Sequence, residues 1–86
     1  MNDDAKRRLE DFERSDGEIL DLSNLNLSYI ELPGYFTHLD RLRTLDLGNN
    51  MLTYLPENIG SFTKLSCIDL TDNQITSLPG SLGAAN

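Results

Sequence analysis

Leu42-Arg43-Thr44-Leu45-Asp46-Leu47-Gly48-Asn49-Asn50-Met51-Leu52-Thr53-Tyr54-Leu55-Pro56 is the stretch that decides the fold. Leu45 and Leu47 flank Asp46 with a period of two, so both leucines face one way and Asp46 the other, as a short half-buried strand requires. Asn50 follows where the chain must leave the strand. A buried asparagine there can satisfy backbone groups left unpaired at the turn, which no apolar residue can do. Leu55-Pro56 then fixes an extended corner, because proline locks its own φ and keeps its predecessor out of the helical region. Ile59 and Phe62, three apart, suit one turn of irregular helix returning along the opposite side.

The same text recurs on both sides of this stretch. Downstream it reads Leu65, Ile68-Asp69-Leu70, Asn73, Ile75, Leu78-Pro79 and Leu82; upstream it reads Leu20-Asp21-Leu22, Leu27 and Leu32-Pro33. The prolines stand at 33, 56 and 79, a spacing of 23 residues both times. Such self-similarity marks a solenoid, in which each unit leaves its apolar edges open and the next unit covers them. The first copy departs from the pattern. Leu25 stands where an asparagine is expected, and two extra residues separate Leu27 from Pro33. Ile30 or Leu32 is expected to fill the position of Leu55 and Leu78, with a small bulge on that turn and a break in the asparagine column.

These residues resemble the leucine-rich-repeat family in its 23-residue form, LxxLxLxxNxLxxLPxxIxxLxxL, from about Leu20 to Leu82. The resemblance implies an α/β solenoid: a short arc of about three repeats, with parallel strands on a concave face and irregular or 3-10 turns on the convex one. It also implies that the concave sheet is the binding surface. The repeats are expected to occupy residues 18–86, divided at about 18–41, 42–64 and 65–86, behind a capping helix and turn at 1–17. A short charged helix leading into Leu20-Asp21-Leu22 also resembles the start of repeat arrays in bacterial Roco-type GTPases.

For that helix, Asp3 or Asp4 is the expected N-cap, Arg14 the expected end and Ser15-Asp16-Gly17 the stop. Ala5, Leu9 and Phe12 fall at i, i+4 and i+7, an apolar stripe suited to covering the open edge of the first repeat. The alternative is a partner-binding amphipathic helix with Lys6-Arg7-Arg8 on its polar side. At the other end, the pattern runs out at Ser81–Asn86, before the leucine of a fourth strand. Two readings follow: an excised or engineered piece of a longer array, such as the regulatory repeats of a larger enzyme, or a homodimer that buries Leu78, Leu82 and the last strand edge.

Composition narrows the function. The chain has 86 residues, an apolar fraction of 38%, an aromatic fraction of 7% and no Trp, so only a thin repetitive core is available. Seven basic and fourteen acidic side chains give a net charge of −7, which opposes phosphate backbones and anionic membranes. No apolar run approaches the roughly 18 residues that span a bilayer, and Met1–Glu10 lacks the apolar stretch of a secretory signal. The single cysteine, Cys67, leaves no internal disulfide and fits a reducing, cytoplasmic setting.

The outward strand positions form columns: Glu18/Arg43/Ser66, Ile19/Thr44/Cys67, Asp21/Asp46/Asp69, Ser23/Gly48/Thr71 and Asn24/Asn49/Asp72. Their acids outnumber Arg43, so the expected partner is a protein with a basic surface, met by Glu18, Asp21, Arg43, Asp46, Asn49, Asp69, Thr71 and Asp72. Adjacent strands lie about 4.8 Å apart, so the three aspartates of one column repel unless a cation or basic side chain sits between them. That column reads as a contact for Arg or Lys, as a Ca²⁺ or Mg²⁺ site, or as a solvated strand position; such cations normally collect ligands from a folded loop. No catalytic constellation is present. Cys67 has no neighbouring histidine and acids around it, His38 belongs to the turn before Leu39, and there is no phosphate loop or paired-cysteine spacing. No cofactor is expected. Tyr29 and Tyr54 align on the outer turn, with Ser77 as the third member of their column.

Overall fold

The computed structural model describes residues 2–32 and 40–79. It begins with helix α1, Asp3–Arg14, capped by Asn2, whose side-chain oxygen accepts from the Ala5 N–H at 2.9 Å. The expected cap, Asp3 or Asp4, is therefore corrected by one or two positions. Both aspartates lie in the first turn, where the positive end of the helix dipole favours them. Asn2 is chosen because it bonds in two directions: its amide also donates to the Leu25 carbonyl at 2.7 Å. The helix ends at Ser15, whose N–H and hydroxyl both return to the Phe12 carbonyl. Among the described residues no glycine has positive φ, so Gly17 ends nothing by a left-handed turn.

Ala5, Leu9 and Phe12 are buried, and α1 packs against strand β1, Ile19–Asp21. Arg41 fastens the far end of the helix. Its guanidinium donates to the carbonyls of Phe12, Ser15 and Gly17 and lies 4.4 Å above the centre of the Phe12 ring. The carbonyls left open at the helix C-terminus are thus met by a cation from the next repeat.

Strands β2, Thr44–Asp46, and β3, Cys67–Asp69, complete a parallel sheet of order β1-β2-β3. Leu20 pairs with Leu45 and Leu45 with Ile68, steps of 25 and 23 residues. The longer first step is where the two extra residues between Leu27 and Pro33 are taken up. Ile30 and Leu32 are both buried there, so the turn is filled by two side chains where the second repeat uses one, Leu55.

The core is one continuous layer behind the sheet. Leu20, Leu22, Leu42, Leu45, Leu47, Leu52 and Ile59 are fully buried. Each such side chain contributes roughly 1.5–3 kcal/mol by leaving water. Ile59 sits in a 3-10 turn, Glu57–Ser61, and Phe62 closes it, as their spacing predicts. The core thins in the third repeat. Leu65, Ile68, Leu70 and Ile75 are half-buried, and Leu78 is 56% exposed where its counterpart Leu55 is 5% exposed. Pro33, His38, Leu39, Leu82 and Ala85 lie outside the described residues.

Candidate functional site

The sheet face opposite the core is held by side chains that bond to backbone. Asn50, 7% exposed, fills the turn after β2. Its oxygen accepts from the N–H groups of Leu25 and Leu27 at 3.1 and 3.0 Å, and its amide donates to the carbonyls of Leu22, Leu47 and Gly48. Asn73 repeats this one unit on, accepting from Leu52 N–H at 3.0 Å and donating to the Leu47 carbonyl at 2.8 Å. Leu25 supplies no such rung, as expected, and Asn2 from the cap takes its carbonyl instead. Turns cross-linked in this way fix where each following side chain points.

The aspartate column is part of the same scaffolding. Each aspartate accepts from the N–H two residues on: Asp21 from Ser23 at 2.9 Å, Asp46 from Gly48 at 3.0 Å, Asp69 from Thr71 at 2.9 Å. Ser23 and Thr71 add their hydroxyls, at 2.5 and 2.6 Å. This is the local turn chemistry of aspartate, and it explains the outward Asp without reference to any ligand. Asn24, Asn49 and Asp72 have φ of 58°, 57° and 58°. Asn and Asp occupy left-handed backbone more readily than other side chains. Asn49, Thr71 and Asp72, predicted as partner contacts, therefore also have structural duties.

Charge is distributed unevenly along the face. Arg8 reaches from α1 to the Asp21 carboxylate at 3.4 Å and to the carbonyls of Asp21 and Ser23. Arg43 pairs with Glu18 at 2.5 Å. Both pairs are solvated, so each contributes only about 0–1 kcal/mol, but both cancel charge locally. Among the described residues Asp46, Asp69 and Asp72 have no such cation. The face thus grades from paired charge at β1, beside an Ile19 that is 65% exposed, to unpaired negative charge at β2 and β3. Cys67 is exposed and pairs in register with Thr44. Among the described residues no three metal-binding side chains gather at one point, and no helix is long and apolar enough to cross a membrane.

The Ser23 hydroxyl, then its N–H, then the Arg8 charge hold the Asp21 carboxyl below its usual range; the Thr71 hydroxyl and N–H do the same for Asp69. A depressed carboxyl stabilises the fold above its unfolded pKa of about 3.9 and loses that contribution as pH falls through the folded value. Stability is therefore expected to fall from about pH 4 downwards. Thr71→Val should raise the Asp69 pKa, read by NMR titration, and leave that of Asp21 in place. An unmoved Asp69 would contradict the role given to the Thr71 hydroxyl.

Of the predicted partner contacts, Asp21, Asp46 and Asp69 lie side by side in register, and Glu18 and Arg43 meet in an ion pair. Sequence reading missed Arg8, Arg41 and Asn2. Their bonds cross 13 to 29 residues of chain, and nothing in the local text announces them.

A leucine-rich-repeat family model, described as "Leucine Rich repeats (2 copies)", matches residues 40–82. The chain belongs to the leucine-rich-repeat family. The matched span begins after the first repeat, the one that departs from the pattern at Leu25 and in its longer turn. No curated protein matches the chain. Leucine-rich repeats are generally protein–protein interaction modules without catalytic activity of their own.

Proposed function

We propose that this chain binds a protein with a basic surface through the outward face of its sheet, with Asp46, Asp69 and Asp72 as the charged contacts. The observation that carries the reading is the gradient of pairing just described. Arg8 and Arg43 satisfy the carboxylates at the β1 end, whereas those at β2 and β3 have no cation within reach among the described residues. Asp46 and Asp69 are already ordered by their bonds to Gly48 and Thr71, so little side-chain entropy remains to be lost on binding. Glu18, Asp21 and Arg43 form the edge of the footprint, and Ile19 supplies an apolar contact beside them.

Charge and turn chemistry are separable by one substitution. Asparagine keeps the oxygen that accepts from the N–H two residues on and removes the negative charge. The Asp46→Asn, Asp69→Asn double variant is therefore expected to melt close to the parent chain. It should lose tenfold or more in affinity for the partner at low salt, and part of that difference should vanish at high salt. Retained affinity in a folded double variant would remove the acidic face from consideration.

A further inference from the structure

Helix α1 covers the first repeat with one side and borders the outward sheet face with another. Arg8, Asp11, Phe12 and Ser15 stand at i, i+3, i+4 and i+7, so they form one row along the helix. Strand β1 runs beside that row, and a cleft of about 290 Å³ lies between them. Arg8 closes one end, where its guanidinium meets the Asp21 carboxylate and the carbonyls of Asp21 and Ser23. The turn at 15–18, which joins α1 to β1, closes the other. Phe12 from the buried core lines the cleft, and Ile19 stands at its rim, exposed. In register with Ile19 the later strands carry Thr44 and Cys67, both smaller. A lone exposed isoleucine is ordinary on a protein surface. This one borders a walled hollow whose interior is apolar, beside carboxylates already read as partner contacts.

We infer that the cleft between α1 and β1 takes one leucine-sized apolar side chain of the bound protein, as the anchor of a basic segment that crosses the sheet face. The inference rests on the reading of that face given above, and adds the residue that the partner must carry. The charges around the cleft select its occupant. Asp11 and Asp21 turn away a carboxylate, and Arg8 at the closed end turns away a cation. A neutral apolar side chain meets Phe12 and Ile19 without opposing either sign. The walls are also preformed. Arg8 and Asp21 hold each other across the cleft, and the Ser15 hydroxyl is bonded to the Phe12 carbonyl, so little order is lost when the anchor enters. Strand spacing sets where the basic residues fall. From β1 to β3 is two steps of about 4.8 Å, a distance that extended chain covers in about three residues. The segment therefore carries its apolar anchor about three residues from the lysines or arginines that meet Asp46 and Asp69.

The test titrates the whole chain, labelled for NMR, with a capped hexapeptide that carries one leucine followed, three positions on, by two lysines. A second titration uses the same peptide with alanine in place of leucine. The leucine peptide is expected to shift the amides of residues 11–15 and of Ile19–Asp21 together with those of Asp46 and Asp69. The alanine peptide should bind at least tenfold more weakly, because it buries no large side chain. Ile19→Ser, at an exposed position, should melt close to the parent chain and lose that tenfold preference. Equal affinities for the two peptides, with shifts confined to residues 46–72, would overturn the anchor and leave the acidic face standing. A preference retained in Ile19→Ser, or no shift at any amide of α1 and β1, would also overturn it. Leucine-dependent shifts that persist undiminished in the Asp46→Asn, Asp69→Asn variant would support the anchor and remove the acidic face.

Discussion

Asn50→Ala is expected to unfold the chain at room temperature. Alanine cannot replace the five hydrogen bonds of the Asn50 side chain, and the N–H groups of Leu25 and Leu27 lose their acceptor inside the core. A buried donor left without a partner costs about 1–3 kcal/mol, so two cost roughly 2–6 kcal/mol before the carbonyls are considered. A domain of this size has a total stability near the low end of about 5–15 kcal/mol. Urea titration followed by circular dichroism reads the effect. Asn73→Ala should cost less, because Asn73 is only partly buried and accepts from one described N–H, that of Leu52. Equal losses at the two positions would mean that burial does not set the cost. A melting curve unchanged in Asn50→Ala would mean that the ladder is not what holds the turns.

The second large effect is expected at Phe12. Its ring is 5% exposed, faces the core and lies beneath the Arg41 guanidinium. Phe12→Ala removes that contact and leaves a cavity at the junction of α1 and β1, with a cost of about 3–5 kcal/mol. Because α1 covers the first repeat, helix and sheet should be lost in one transition. Lys6→Ala, at an exposed position of the same helix, should change stability by no more than about 0.5 kcal/mol. Two separate transitions in the Phe12 variant would mean that α1 is an appendage of the solenoid and not its cap.

The extent to which these features could be read beforehand follows from how local they are. The alternation around Asp21, Asp46 and Asp69 sets strand positions within three residues, so the sheet and its register were legible. Ile59 and Phe62 were legible for the same reason, since one turn of chain joins them. The first turn was legible only in part. Ile30 and Leu32 compete for one position in the pattern, and the structure buries both because the longer step from Leu20 to Leu45 leaves room.

The helix cap could not be read from propensity, because Asn2, Asp3 and Asp4 are all good caps. What separates them is the Leu25 carbonyl, 23 residues away, which only Asn2 meets. The candidate face shows a different kind of miss. Its aspartates were correctly placed outward, but the serine, glycine and threonine two residues on already signalled a bond to the chain's own backbone. The asparagines and aspartate at 24, 49 and 72 likewise signalled left-handed turns before they signalled contacts. Arg8 carries the larger consequence, since it shifts the unpaired charge of the face towards β2 and β3.

The central claim is that side chains, not backbone alone, lock each turn and so hold the outward face rigid. Amide hydrogen exchange on the native chain tests it most directly, at Leu25, Leu27 and Leu52, whose N–H groups donate to asparagine side chains. The account predicts that Leu25 and Leu27 exchange as slowly as the strand amides of β2, with Leu52 protected as well. Exchange at the rate of surface loops would contradict it, and the face would then be no more ordered than the turns beneath it.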